Sequence, residues 1–74
     1  MKEYVWVVGT WAPGKYWADP AELLARRGDT VLVQLNMNKW AVAHKFDWHS
    51  NTFIQSVHKT LEEAEEAFKN FVAE

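Results

Sequence analysis

The sequence predicts an α+β fold: an antiparallel sheet of three to four strands, a C-terminal helix packed on one face, and a short helix after the first strand. Three observations support this fold. Residues 60–72 have apolar side chains at helical spacing. Residues 30–58 hold three segments rich in β-branched and aromatic residues. Residues 19–27 have the pattern of a short helix. The predicted order is β-α-β-β-β-α, in one domain spanning residues 1–74.

The first strand is predicted at residues 3–9 (EYVWVVG), because β-branched and aromatic residues dominate this segment. Successive side chains of a strand point to opposite faces. One face carries Tyr4, Trp6 and Val8, and the other carries valines. Since both faces are apolar, we expect a central strand or one that is covered on both sides.

A loop is predicted at residues 10–18 (TWAPGKYWA), because Pro13 and Gly14 form a strong turn signal. Residues 19–27 (DPAELLARR) then predict a short helix. The segment starts with a capping aspartate and a proline at the first helical position, and its final arginines and the following Gly28 suit a helix C-terminus. A helix of about two turns needs tertiary contacts to persist.

Three further strands are predicted at residues 30–35, 40–46 and 52–58. The first two are joined by a tight turn with two asparagines, which tolerate left-handed backbone conformations. Adjacent strands with short connections usually pair, so we expect an antiparallel meander. The pairing of the first strand stays open, because its connection to Val31 is long enough for a parallel crossover.

The C-terminal helix is predicted at residues 60–72 (TLEEAEEAFKNFV). Thr60 is a good N-cap residue, and Glu63 lies where a capping-box glutamate reaches back to the Thr60 N–H. The helix has one apolar stripe, made of Leu61, Ala64, Ala67, Phe68, Phe71 and Val72. This stripe has to pack on the strands that precede it.

Composition narrows the functional classes. The absence of cysteine excludes disulfides and thiolate metal sites, so large aromatics, including five tryptophans, have to support a small core. The net charge is −2, and the acidic residues concentrate in residues 60–74. The charged N-terminal segment does not resemble a signal peptide, and no apolar run approaches the ~18 residues that span a bilayer. We therefore expect a cytoplasmic protein.

Catalytic and metal-binding patterns are weak. Ser50 directly follows His49, but adjacent residues point apart, so the two do not form a nucleophile–base pair. His44, Asp47 and His49 are close in sequence, yet His44 opposes the other two on a continuous strand, and a metal needs three or four convergent ligands. We expect no enzyme activity, no metal and no cofactor.

The aromatic loop is the most suggestive feature. Surface loops rich in tryptophan and tyrosine are typical of protein interfaces, although such rings can also fold back to cap a small core. We therefore predict a non-enzymatic protein-binding module, acting as a monomer or a homodimer. The predicted partner-binding residues are Trp11, Lys15, Tyr16, Trp17 and Trp48, with an acidic helix patch at Glu62 and Glu66.

Small chains of this composition often inhibit larger assemblies. A phage or mobile-element inhibitor of a host nucleic-acid-processing complex, similar to anti-CRISPR proteins, is the class we would test first. This expectation rests on size and composition.

Binding of nucleic acid through the three-stranded sheet is the alternative. The layout of KWAVAHKF and TLEEAEEAF resembles domains that lay such a sheet in the DNA major groove. The predicted interface of this alternative is Lys39, Trp40, His44 and Lys45, which lie on or near the sheet. The strands lack the arginines that read guanine edges, and the net charge is negative.

Overall fold

In the computed structural model, which describes residues 2–46 and 51–72, five strands form a closed barrel and one helix packs against its outside. Each strand pairs antiparallel with the next, and β1 and β5 close the barrel in parallel. The predicted α+β sheet with two helices is therefore wrong. The elements are β1 Tyr4–Ala12, β2 Lys15–Arg27, β3 Thr30–Asn36, β4 Lys39–Lys45, β5 Thr52–His58 and α1 Leu61–Asn70.

The largest difference lies at residues 10–27, which form the end of β1 and all of β2 rather than a loop and a short helix. The predicted turn at Pro13 and Gly14 is present, and Gly14 has a positive φ of 74°. The strands on either side of it pair from Ala12 opposite Lys15 to Tyr4 opposite Glu22.

Pairing with two neighbours explains why β2 is not helical. Its first half pairs with β1 and its second half pairs with β3. A register shift makes Leu24 the extra residue of a β-bulge, which bends the strand from one neighbour to the next. A two-turn helix is marginal alone, whereas this long strand satisfies backbone groups along both ladders. Tertiary pairing therefore overrides the local helix propensity.

Small aliphatic side chains fill the barrel. The largest fully buried residues of the chain are valines, at Val7, Val33 and Val42. Val7 and Val33 lie in the interior cluster with Ala21, Val31, Ala41 and Ala43. Of the four tryptophans that the structure describes, only Trp17 packs against this interior cluster, and it is half-buried. Among the described residues, the expectation that large aromatics support the core thus applies inside the barrel to Trp17, whereas Trp40, Phe68 and Phe71 pack between α1 and the sheet.

The helix α1 confirms the predicted C-terminal helix. Four residues of the predicted apolar stripe, Ala64, Ala67, Phe68 and Phe71, pack on the outer side of β3 and β4 near Leu32 and Val42. The other two, Leu61 and Val72, are exposed. Thr60 is the N-cap: its Oγ1 accepts a hydrogen bond of 3.1 Å from the Glu63 N–H and donates one of 3.3 Å to the Glu63 carboxylate. Across residues 2–46 and 51–72, we find no helix with the length and apolar character that a membrane crossing requires.

Replacing the N-cap tests this helix start. Thr60→Ala removes the acceptor for the Glu63 N–H, so we expect the free energy of unfolding to fall by about 1 kcal/mol in urea denaturation. Thr60→Ser keeps the hydroxyl and should retain nearly all of that stability. Equal stabilities for the two variants would contradict the role of Thr60 as the cap.

Candidate interaction surface

The outer side of β1 and β2 forms a surface that we call the aromatic face. Because Val5 and Val7 pack against the barrel interior, the alternate residues of β1 point outward, and so do their partners in β2. The face consists of Tyr4, Trp6, Val8 and Thr10 on β1, with Glu22, Pro20, Ala18 and Tyr16 opposite them on β2.

Three rings of the aromatic face are exposed to solvent. Tyr4, Trp6 and Tyr16 are 60%, 65% and 62% exposed, respectively. The helix α1 lies over β3, β4 and β5, and no other helix in residues 2–46 and 51–72 covers the β1–β2 side. Side chains of this size usually bury a large part of their area in a folded chain, so three exposed rings on one sheet face make it a candidate interaction site.

The aromatic face carries little net charge. At one end, the Lys2 ammonium lies 3.7 Å from the Glu22 carboxylate, and the other members of the face are uncharged. An exposed ion pair of this kind adds little stability. It does neutralise the edge of the face, so an apolar partner can cover the rings at a small desolvation cost.

A groove of about 630 Å³ adjoins the aromatic face. The strand pairing of Val8 explains where this groove lies, because Val8 pairs with Ala18 of β2 on one side and with Phe53 of β5 on the other. The groove therefore runs across three neighbouring strands. The described residues that line it are all uncharged: Val8, Tyr16, Trp17, Ala18, Phe46, Asn51 and Phe53.

The predicted loop residues do not form one surface. Tyr16 lies on the aromatic face, whereas Trp17 turns inward and packs against the barrel core. Trp11 is the extra residue of a bulge at the hairpin end and is 66% exposed, with the Lys15 ammonium 5.2 Å from its ring centroid. Trp48 falls outside the described residues.

The acidic helix patch occupies a separate side of the molecule. Glu62 and Glu66 are exposed on α1, and the Glu66 carboxylate accepts a hydrogen bond of 3.1 Å from the Asn70 amide. Since α1 covers β3, β4 and β5, the two glutamates do not extend the aromatic face.

Two of the four residues of the nucleic-acid alternative lie beneath the helix. Trp40 packs in the cluster between α1 and the sheet. His44 Nδ1 lies 2.8 Å from the Thr30 hydroxyl, and its ring is 5.4 Å from that of Phe71. Lys39 and Lys45 are exposed. The helix thus occupies the sheet face that this alternative requires.

The remaining polar groups that the structure describes are not arranged as a catalytic or metal-binding site. His58 Nε2 lies 2.8 Å from the Ser56 hydroxyl, two residues away on β5, and this bond satisfies two half-buried polar side chains. Within residues 2–46 and 51–72, no three potential ligands are grouped around a possible metal position. Asp47, His49 and Ser50 lie outside those ranges.

Sequence reasoning missed Tyr4 and Trp6 as candidate interaction residues. The alternation in β1 placed them on one face correctly, but that face was expected to be covered. One signal could have identified them: a single long amphipathic helix can cover only one side of a sheet.

Comparisons of the chain with protein-family models, curated proteins and solved structures find no match. The functional argument therefore rests on this geometry.

Proposed function

We propose that the chain is a non-enzymatic protein-binding module that contacts its partner through the aromatic face. The observation that carries this proposal is the exposure of Tyr4, Trp6 and Tyr16 together on one nearly neutral sheet face. Tryptophan and tyrosine are enriched at protein interfaces and among the residues that dominate binding energy, whereas charged residues are depleted at interface centres.

The size of the surface fits a protein partner. Burial of a large aromatic side chain covers roughly 150–250 Å². Three rings that are about two-thirds exposed therefore offer ~300–500 Å², compared with ~800 Å² per partner in a standard interface. The adjoining groove and the hairpin end at Trp11 and Lys15 supply further area. The rings then form the centre of the interface and the hairpin forms part of its rim.

Charge favours a protein over a nucleic acid. Exposed rings can stack on bases, but binding to a phosphate backbone needs several free cations close to them. On the aromatic face, Lys2 lies against Glu22, and Lys15 is over Trp11 at the hairpin end. The alternative sheet surface has Trp40 and His44 beneath α1. Both observations support the protein partner.

Size and composition support the partner class that we propose. A cysteine-free chain of 74 residues with surplus aromatic side chains suits an inhibitor of a larger assembly in the cytoplasm. A host nucleic-acid-processing complex, inhibited in the manner of anti-CRISPR proteins, is the assembly we propose to test first.

A capture experiment tests the proposal. The chain is immobilised and exposed to a host lysate, and recovered proteins are quantified by mass spectrometry for wild type, Trp6→Ala and Tyr16→Ala. Loss of an interface hot spot costs ~2 kcal/mol or more, so we expect Trp6→Ala to reduce recovery of the specific partner by at least ~10-fold.

Two controls make the result specific. Val57→Ala truncates a 50% exposed apolar side chain on β5, outside the aromatic face, and should leave recovery unchanged. Thermal unfolding of every variant confirms that the barrel is intact. Recovery that survives both Trp6→Ala and Tyr16→Ala would refute the aromatic face as the contact surface. Salt-sensitive binding of a labelled oligonucleotide would instead support the nucleic-acid alternative.

A further inference from the structure

We infer that the chain forms a weak homodimer in which the open edge of β2 pairs antiparallel with the same edge of a second copy. We call this segment, residues 15–19, the β2 edge. The inference concerns main-chain groups at the side of the sheet and goes beyond the proposed function, which concerns exposed rings on its outer face.

The first part of β2 projects past β3. Pairing with β3 begins only at Glu22, whereas pairing with β1 continues back to Lys15. A groove of about 310 Å³ lies between this part of β2 and the β3–β4 hairpin, with Asp19 on one side and Lys39 on the other. The two elements have therefore separated here. Among the described strands, the β2 edge has a neighbour only on its β1 side.

The hydrogen-bonding pattern of β2 shows which main-chain groups lie on the open side. The Leu23 N–H donates to the Glu3 carbonyl at 2.8 Å, so Leu23 faces β1. Successive residues of a strand direct these groups to opposite sides, and the register with β1 has no shift between Leu23 and Tyr16. Tyr16, Ala18 and Pro20 therefore face away from β1. Pro20 agrees with this pattern, because it has no N–H to donate and prolines in sheets occupy such edges.

One register satisfies the open groups of Tyr16 and Ala18. An antiparallel two-fold pairing centred on Trp17 places Tyr16 opposite Ala18 of the second copy and forms four main-chain hydrogen bonds. A shift that places Tyr16 opposite Pro20 loses a donor, because proline has no N–H. A shift in the other direction places Ala18 opposite Gly14, where a φ of 74° ends the strand. The edge is therefore complementary to itself in a single register.

The side chains match in the same register. Lys15 lies opposite Asp19 of the second copy, and the two-fold axis repeats this pair at the other end of the pairing. Opposite charges across neighbouring strands stabilise a sheet. Both side chains are exposed in the single chain and are available for these contacts. On the outer face, the large Tyr16 ring lies beside the small Ala18 side chain, and the two aromatic faces join on one side of the sheet.

Sedimentation equilibrium of the full chain tests the dimer. A pairing of five residues per strand gives a small interface, and interfaces below ~1,200 Å² are typical of transient complexes. We expect monomer and dimer to coexist across a dilution series, with a Kd on the order of 0.1 mM. Amide hydrogen exchange at Tyr16 and Ala18 should slow as the protein concentration rises, because these N–H groups become bonded only in the dimer.

Charge reversal tests the register. Asp19→Lys opposes lysines at both ends of the pairing, and Lys15→Asp opposes aspartates, so each variant alone should raise the Kd about 10-fold. An equal mixture of the two variants pairs lysines with aspartates and should restore the wild-type Kd. Glu62→Lys makes the same change of charge as Asp19→Lys at an exposed position on α1 and should leave the Kd unchanged.

Ala18→Pro tests the main-chain bonds. It removes the Ala18 N–H, which faces the open side, so the ladder between β1 and β2 keeps its bonds while the dimer loses two of the four. We expect the Kd to rise at least ~10-fold. Thermal unfolding of the variant verifies that the barrel is intact.

A dimer that both charge variants weaken and their mixture restores supports the inference. A chain that stays monomeric up to about 1 mM overturns it, as does a dimer that persists unchanged in Ala18→Pro or in both charge variants. A dimer that Trp6→Ala abolishes, and the edge variants do not, is formed through the aromatic face and also overturns it. If a monomeric chain still captures its partner, the dimer fails and the proposed function stands.

Discussion

Gly9→Ala is expected to lower the free energy of unfolding by about 1–3 kcal/mol, the usual cost of overpacking a filled site. Gly9 pairs with Trp17 across β1 and β2, and the indole of Trp17 crosses directly over it. A β-carbon at position 9 would overlap two ring carbons and lie 2.7 Å from the indole nitrogen. Because the indole is rigid and packs against the barrel core, it cannot move aside without losing stabilising contacts. Urea denaturation monitored by circular dichroism measures the change.

A double-mutant cycle isolates this contact. Trp17→Ala removes the obstructing ring and costs ~2–4 kcal/mol by itself, toward the low end because Trp17 is only half-buried. In that background, adding Gly9→Ala should cost almost nothing, so the two effects are not additive. Additive losses would show that Gly9 is required for a reason other than the close approach of Trp17.

Arg27→Ala is expected to destabilise the chain by about 1–2 kcal/mol and to unwind the last turn of α1. The Arg27 guanidinium donates to the main-chain oxygens of Phe68, Lys69 and Phe71 at 2.9, 3.0 and 2.8 Å. It thereby satisfies carbonyls that have no partner at a helix C-terminus and places a positive charge at the negative end of the helix dipole. It also lies 5.2 Å from the Phe68 ring centroid.

Neighbouring substitutions provide matched controls. Arg26→Ala removes the same charge from an exposed position on β2, and we expect a change within about 0.5 kcal/mol. Arg27→Lys keeps the charge but loses the forked geometry, so it should restore only part of the stability. Amide hydrogen exchange at Phe68–Phe71 locates the effect. If Arg26→Ala and Arg27→Ala lower the free energy of unfolding equally, the loss of a positive charge is responsible, rather than the loss of the hydrogen bonds from Arg27 to the carbonyls of α1.

Arg27 shows the limit of structural predictions that are made from local sequence patterns. The arginines at residues 26 and 27 suit the end of a helix, and Arg27 does bind helix carbonyls. The helix is α1, however, more than 40 residues later in the chain. No local spacing connects the two. The same limit applies to the candidate site, where alternation grouped Tyr4 with Trp6 but could not show that the face stays open.

The three strands β3, β4 and β5 could be predicted from the sequence. The predicted segment 52–58 matches β5, and the other two predictions match β3 and β4 within one residue at each end. The tight turn predicted between β3 and β4 is present, but no asparagine among the described residues has a left-handed conformation; instead the Asn36 side chain accepts a hydrogen bond of 2.9 Å from the Asn38 N–H. These features depend on residues within a few positions of one another, so their physical cause is present in the segment itself.

By itself, the sequence determined α1 with its Thr60 cap, the three strands from β3 to β5, and the alternation of side chains in β1. Helical spacing, turn residues and capping groups act over short distances and leave a readable pattern. Only the tertiary structure decided that residues 15–27 are a strand, that the barrel closes, and that Tyr4 and Trp6 face solvent. Each of these depends on a pairing between residues that are far apart in the chain, such as Val7 with Thr52. The stabilising free energy of such a pairing appears only when both strands are in place.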